Sequence, residues 1–325
     1  MKPSVLVTKR LYPSAINYLR ERVDLDYHES DDLFPAEALL ERLNDKQGVV
    51  SQLTDKFTPE VMSALPGLKV ISNVAVGFDN IEPAAATEHG IGVTNTPDVL
   101  TDTTADFAFT LLMAAARRLV EADKLLRAGE WNQWRIDLLC GADIHHATLG
   151  VVGMGRIGKS VARRGLGFEM RVLYSDVQRA SLQLEEELHL EYVLFETLLR
   201  ESDFISLHVP LLPATRGLVG TEQFALMKKS AILINTSRGL IVDEAALADA
   251  LAAGEIAAAG LDVFEREPHV EPRLIGMENV VLAPHIASAS VDTRTKMCMT
   301  AAENCVAALE GKRPPNLVNT ALFDD

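Results

Sequence analysis

Apolar residues fall in short runs separated by amphipathic stretches, and this alternation continues along the whole chain. Residues 5–8, 48–51, 69–73 and 92–95 are apolar runs bounded by polar or glycine positions and read as strands. Between them, 36–44 and 59–65 carry apolar positions at helical spacing. A long alanine-rich helical pattern over 101–127, with Thr and Asp near its start and Gly129 past its end, is expected to lead into a second domain. There the strands recur at 149–152, 171–174, 204–209, 231–235, 259–263 and 280–283. Residues 291–309 are helical again and stop before Gly311, Pro314 and Pro315. Strand-helix alternation of this kind implies an α/β fold with parallel sheets covered on both faces. If the last helix packs back on the first unit, the domains are 1–100 plus 287–325 and 101–286. A ligand cleft is then expected beside the carboxyl ends of the second sheet's strands.

One junction in this pattern carries chemistry. Gly153, Gly155 and Gly158 form G-x-G-x-x-G directly after the apolar run 149–152, and Asp176 lies eighteen positions beyond Gly158 at the end of the next run. Strand, glycine turn, helix, strand and acid together are the dinucleotide fingerprint. Gly153 permits the tight turn, Gly155 removes a Cβ from the path of a pyrophosphate, and Gly158 allows close packing of helix on strand. Free N–H groups at the helix start face the anion. Asp176 suits the two ribose hydroxyls of NAD and repels a 2′-phosphate, while the charge of Arg179 works against that preference.

Composition narrows the partners. With 48% hydrophobic and 24% charged residues over 325 positions, the chain is long and apolar enough for two cores. A formal charge of −15 disfavours nucleic acid and anionic membrane, so an anionic substrate needs locally placed cations or amides. No apolar run reaches the length of a membrane span, the N-terminus lacks a signal-peptide pattern, and a cytoplasmic location is expected. Cys140, Cys298 and Cys305 have neither disulfide density nor zinc spacing, and no metal is expected.

Three groups in the second half follow strands: Arg238 after 231–235, Glu267 after 259–263 and its turn, His285 after 280–283. Reduction of a small 2-oxo acid by a nicotinamide needs a cation for the carboxylate and an acid for the forming alkoxide. Arg238 can fork onto carboxylate and carbonyl oxygens, His285 can deliver the proton, and Glu267 can stabilise the imidazolium. Each also has a structural use. Arg238 can cap a helix or pair with Asp243, Glu267-Pro268 can be a turn, and most histidines are hydrogen-bonded structural residues.

Six ordered blocks decide between these uses: NVAVGFDN from Asn73, LTDTTADFAF from Leu100, GVVGMGRIG from Gly150, INTSRGLIVDE from Ile234, GLDVFEREP from Gly260 and APHIASAS from Ala283. Along essentially its whole length the chain resembles the D-isomer-specific 2-hydroxyacid dehydrogenases. That resemblance implies two Rossmann-like lobes, a doubly wound parallel-sheet dinucleotide-binding domain and a smaller, discontinuous, flavodoxin-like substrate domain. It implies a catalytic set of Arg238, Glu267 and His285, and a loop Ala75, Val76, Gly77 whose amides meet the substrate carboxylate. On the cofactor side it implies Thr104, Gly153, Gly155, Arg156, Ile157, Gly158, Asp176, Val209, Pro210, Thr236 and Asp262, with Asp262 also readable as a strand-end cap.

Within the family the sequence is most similar to bacterial glyoxylate/hydroxypyruvate and 2-ketogluconate reductases, which share the opening MKPSV and the blocks around Glu222 and His145. Those reductases often prefer NADPH, whereas Asp176 points to NADH. Phosphite dehydrogenase is the related alternative, but the lysine of its substrate loop falls at Val76 here. The family also contains corepressors that use the fold as a dinucleotide-dependent interaction module. Related reductases dimerise through the region of Trp131 and Trp134, so a homodimer is expected, with Trp134 reaching a neighbouring substrate site.

Overall fold

The computed structural model describes residues 2–32 and 34–323, which divide into two compact units, 1–100 with 289–325 and 101–288. In the first unit five parallel strands, β1 (Ser4–Val7), β2 (Asp24–Tyr27), β3 (Gly48–Ser51), β4 (Val70–Asn73) and β5 (Gly92–Thr94), are ordered β2-β1-β3-β4-β5. Parallel strands buried on both faces need apolar residues on both, and β3, β4 and β5 are buried throughout. Helices Pro13–Arg22 and Val291–Leu309 cover one face around Leu19, Val50, Ala301 and Cys305. Helices Ala36–Leu43, Pro59–Ser63 and Pro83–Glu88 cover the other around Leu43, Phe57 and Ile71.

The C-terminal helix is integral to this unit. Ser72 Oγ donates to the carbonyl of Ala301 at 2.7 Å, and a Cβ on Gly48 would lie 3.1 Å from Cys305 Sγ. Burial pushes the Cys305 thiol up to about 12, so it behaves as a small hydrophobe.

The second unit holds β6 (Thr148–Val152), β7 (Arg171–Ser175), β8 (Leu190–Tyr192), β9 (Phe204–Leu207), β10 (Ile232–Asn235), β11 (Ala258–Leu261) and β12 (Val280–Leu282), all parallel. Their order, β12-β11-β10-β9-β6-β7-β8, runs outward in both directions from β6 and β9. The carboxyl ends of that central pair are the switch point at which such sheets bind ligands. Among the described residues no helix is long and apolar enough to cross a membrane.

Three sequence expectations are corrected. The helix expected over 101–127 is two, Thr101–Ala116 and Leu119–Arg127, because Arg118 is left-handed with φ 51° and the Ala116 carbonyl accepts from the Ala142 amide at 2.9 Å. Strands β2 and β8 escaped the hydrophobic pattern because they are edge strands, DLDY and LEY, with their polar residues exposed or half-buried. The return into the first unit falls after Ser288 rather than Ile286, since the amides of Ile286 and Ala287 are tied to Asp262 of the second unit.

Candidate active site

Strands β10, β11 and β12 are adjacent and parallel, so the segments leaving their carboxyl ends emerge side by side. Arg238, Glu267 and His285 stand on those three segments. Asn235 closes β10 and shapes the turn that follows. Its Nδ2 donates to the Arg238 carbonyl at 2.9 Å, and its Oδ1 accepts from the Ser237 amide and hydroxyl at 3.0 and 2.9 Å. A Cβ on the next residue, Gly239, would lie 1.8 Å from the carbonyl carbon of Phe264. The Arg238 turn therefore rests on the backbone that leads to Glu267.

Glu267 uses its two oxygens differently. Oε1 accepts from the Phe264 amide at 3.0 Å, which fixes the side chain, and Oε2 lies 2.8 Å from Nδ1 of His285. Burial pushes this carboxyl up, but the hydrogen bond and charge of His285, the Phe264 amide and the charge of Arg238 outweigh it. Glu267 is held below the usual carboxylate range. With Nδ1 turned to Glu267, Nε2 is the ring atom left for a substrate.

His285 sits in the left-handed region at φ 53°, a conformation that costs about 1–2 kcal/mol for a residue with a Cβ. Asp262 holds it there. The Asp262 carbonyl accepts from the His285 amide at 2.8 Å, and its carboxylate oxygens accept from the Ile286 and Ala287 amides at 2.7 and 2.8 Å. Burial pushes the Asp262 carboxyl up, against the pull of those two amides. Asp262 thus serves as a strand-end anchor for the histidine turn.

The glycine turn follows β6 at the switch point. Gly153 has φ 93°, and a Cβ there would lie 2.8 Å from the His208 backbone and from Val209 Cγ1. A Cβ on Gly158 would lie 2.0 Å from the Gly153 carbonyl oxygen, so this glycine packs on the turn even more closely than on the strand. Gly155 differs from both: its φ is −71° and a Cβ would meet nothing within 4 Å. Neither backbone conformation nor packing explains a glycine there. A ligand approaching the N-terminus of helix Arg156–Gly167 does, and the site fits a dinucleotide pyrophosphate. Replacing Gly155 by alanine is expected to leave Tm unchanged and to weaken dinucleotide binding by about tenfold or more, the effect of ~1–3 kcal/mol of overpacking. Calorimetric titration beside a melting curve checks both halves.

The other expected cofactor residues take these places. Asp176, just past β7, accepts from the Met154 amide at 2.6 Å and the Gln178 amide at 3.0 Å. Thr236 follows β10 with a buried Oγ1 that has no hydrogen-bond partner among the described residues. Thr104 is buried on helix Thr101–Ala116, Arg156 and Ile157 open the glycine helix, Val209 is partly buried after β9, and Pro210 is exposed.

In the first unit, the loop after β4 turns its carbonyls inward. The carbonyls of Ala75, Val76 and Gly77 accept from the Thr96 amide, Asn95 Nδ2 and Asn73 Nδ2 at 2.8, 2.8 and 3.0 Å. Among the described residues, the amides of these three positions have no partner. Fixed carbonyls and unpaired amides are what an anion-binding loop requires.

Sequence reasoning missed the residues that hold these loops in place. Asn73 and Asn235 end their strands, Asn95 directly follows β5, and each bonds the following or neighbouring loop backbone. Glu244 accepts from the Glu265 amide at 2.6 Å, while Glu265 accepts from the Glu244 amide at 2.9 Å. An asparagine closing an apolar run was the available signal, because its amide can both donate to and accept from a turn.

A dinucleotide cradle and a carboxylate-oriented histidine on one doubly wound sheet define a nicotinamide-dependent oxidoreductase. The family model "D-isomer specific 2-hydroxyacid dehydrogenase, NAD binding domain" matches residues 109–287. A glyoxylate reductase from Korarchaeum cryptofilum is 51% identical over 98% of this chain and 96% of its own length. A solved structure from Thermus thermophilus superposes with TM-score 0.91 at 44% identity, covering 97% of this chain and 99% of that one. An NADPH-dependent glyoxylate/hydroxypyruvate reductase from Sinorhizobium meliloti, solved with NADP and malonate, gives TM-score 0.89 at 34% identity, covering 99% and 98%. The chain belongs to the D-isomer-specific 2-hydroxyacid dehydrogenase family, and it is an NAD(P)H-dependent enzyme acting on 2-oxo acids.

Proposed function

We propose that this enzyme reduces a small 2-oxo acid of the glyoxylate, hydroxypyruvate or 2-ketogluconate type to its D-2-hydroxy acid, with NADH as the preferred donor. The observation that carries the reading is the 2.8 Å pair of His285 and Glu267 under the charge of Arg238. A nicotinamide held at the glycine turn would supply the hydride that the carbonyl carbon takes up. Arg238 takes the substrate carboxylate and carbonyl oxygen as a fork; within the first unit, the amides of Ala75, Val76 and Gly77 form a loop suited to a carboxylate. His285 gives a proton from Nε2 to the oxygen as negative charge grows there, and Glu267 keeps the ring in line throughout. Support for the substrate class comes from the relatives named glyoxylate reductase. Support for NADH is Asp176, whose partners are neutral amides and whose charge opposes a 2′-phosphate.

The remaining cofactor contacts fall to Thr104, Arg156, Ile157, Val209, Pro210, Thr236 and Asp262. The reading places the enzyme in the cytoplasm as a homodimer. Helix Leu119–Arg127 buries none of its residues, and Leu119, Leu126, Trp131, Trp134 and Ile136 are exposed around it. A second copy of the chain is the occupant that suits such an apolar patch, with Trp134 directed at the neighbour. Sedimentation at twice the chain mass is the expected result.

The test is a panel of glyoxylate, hydroxypyruvate, pyruvate, 2-ketogluconate and phosphite with each nicotinamide cofactor. Turnover with the first two and none with phosphite supports the reading. Tight cofactor binding without turnover on any 2-oxo acid overturns it. Reduction needs the proton that the His285–Glu267 pair carries, and oxidation needs that place empty. Because reduction consumes a proton at His285 Nε2 and oxidation returns one there, reduction is expected to be favoured at lower pH and oxidation at higher pH, which rates in both directions over a pH series will show.

A further inference from the structure

Just past Asp176 the chain turns into helix Leu182–Leu188, and Arg179 stands on that turn. Its Nε and Nη2 lie 2.8 and 2.9 Å from the two carboxylate oxygens of Glu185, a forked ion pair. The same carboxylate accepts from the hydroxyl of Tyr174, a fully buried side chain of β7, and that hydroxyl in turn accepts from the Ala180 amide at 3.0 Å. Ser181 caps the helix, which places Glu185 in the first turn, where the helix dipole favours negative charge. Hydrogen bonds from Arg179 and then Tyr174 pull the Glu185 carboxyl down to about 2. Glu185 is therefore a fixed anion and Arg179 its counterion.

Asp176 is treated differently. Its oxygens are met by backbone amides alone, and among the described residues no cation pairs with it. Yet Arg179 and Asp176 share one small patch. The guanidinium carbon of Arg179 lies 5.5 Å from the centre of the Tyr192 ring, and the Tyr192 hydroxyl donates to the Asp176 carbonyl at 3.5 Å. Over half of the Arg179 side chain is exposed, so steric burial does not confine it; the ion pair does.

We propose that Glu185 sets cofactor choice by holding Arg179 in an ion pair, which withholds a cation from the 2′-phosphate of NADPH and leaves Asp176 dominant at the ribose. The proposal rests on the NADH reading above and names the device behind it. An NADPH-binding site of this fold needs an arginine near the end of the second strand to match the phosphate. This chain has the arginine at hand and neutralises it with a neighbouring carboxylate. Glu185 acts through Arg179, as a positioning residue.

The experiment measures the Kd of NADH and of NADPH by calorimetric titration in the absence of substrate, and kcat/KM for each with glyoxylate saturating, in the unaltered enzyme and in Glu185→Gln, Arg179→Ala and the double variant. Glu185→Gln removes the anion at nearly constant volume. It is expected to raise NADPH use relative to NADH about tenfold, the effect of one new charge-assisted contact. The double variant is expected to lose that gain. Arg179→Ala alone is expected to change NADPH use less than about twofold, since a withheld guanidinium contributes no contact of that size. A folded Glu185→Gln enzyme with an unchanged cofactor ratio overturns the proposal. So does an Arg179→Ala enzyme whose NADPH use falls tenfold, because Arg179 would then already serve the phosphate. If Glu185→Gln does not fold, the Arg179→Ala result decides alone. Equal use of both cofactors by the unaltered enzyme defeats the NADH reading, and the shift on Glu185→Gln still tests the ion pair separately.

Discussion

Replacing His285 by alanine is expected to lower kcat for 2-oxo acid reduction by about 10²–10⁴-fold, the usual contribution of a positioned general acid. NADH affinity should stay within about twofold, since the role proposed for the imidazole is exercised in the transition state alone. The backbone gives the substitution a second consequence. His285 is left-handed at φ 53°, and alanine pays the same penalty there without a side chain to bond Glu267. Asparagine tolerates this region better, so His285→Asn keeps the turn while removing the acid. Comparable losses of kcat in the two variants, with cofactor binding intact in both, assign the effect to proton transfer. An equal loss of NADH binding would instead make His285 a structural residue. Single-turnover rates beside calorimetric titration separate these outcomes.

How far the sequence alone reaches follows from where its signals come from. Hydrophobic patterning identifies strands buried on both faces, such as β3, β4 and β10, because their positions are apolar or small apart from the asparagine that closes β4 and β10. It fails for β2 and β8, which have a neighbour on one side only and carry Asp24, Asp26 and Glu191. It also ran helix Thr101–Ala116 into the next one, since the break at Arg118 comes from a backbone conformation that alanine-rich composition does not signal. Chemistry was legible wherever one residue type has one physical reason to be present. Gly155 is such a case: the sequence suggested space for a phosphate, and in the structure neither a positive φ nor close packing calls for a glycine there.

Roles divided between a side chain and the backbone were harder to read. Asp262 was readable both as a cofactor contact and as a strand-end cap, and the bonds it accepts from the Ile286 and Ala287 amides account for the second. The asparagines behind the 75–77 loop and behind Arg238 went unnoticed because a turn-forming asparagine and one that orients a catalytic turn look alike in sequence. Arg179 shows the same limit. Proximity to Asp176 in sequence suggests a phosphate ligand, while its partner Glu185 lies on the following helix and reverses that meaning.

Gly239 is the position at which fold and catalysis are tied most closely. Its backbone is ordinary helix-forming backbone, so alanine meets no conformational penalty. The obstacle is contact: a Cβ would lie 1.8 Å from the Phe264 carbonyl carbon, 2.1 Å from its oxygen and 2.3 Å from the Glu265 nitrogen. All three are backbone atoms that cannot swing aside, so the Arg238 turn and the 264–267 segment must separate. Glu265 is also pinned by Glu244, just beyond the Arg238 turn, so the movement strains that hydrogen bond as well. Gly239→Ala is therefore expected to cost about 3 kcal/mol, the upper part of the overpacking range, and to lower Tm by about 6–12 °C for a domain of this size. Whatever fraction folds should be slow. Moving Arg238 by about 1 Å from the pair it serves is enough for a hundredfold loss in kcat/KM, even though no catalytic side chain has been altered. Thermal melting and steady-state kinetics at a temperature below the new Tm test the two effects together. A variant with unaltered Tm and unaltered kcat/KM would show that the two loops can part without consequence, and the close seating of Arg238 on the Glu267 segment would then have no catalytic role.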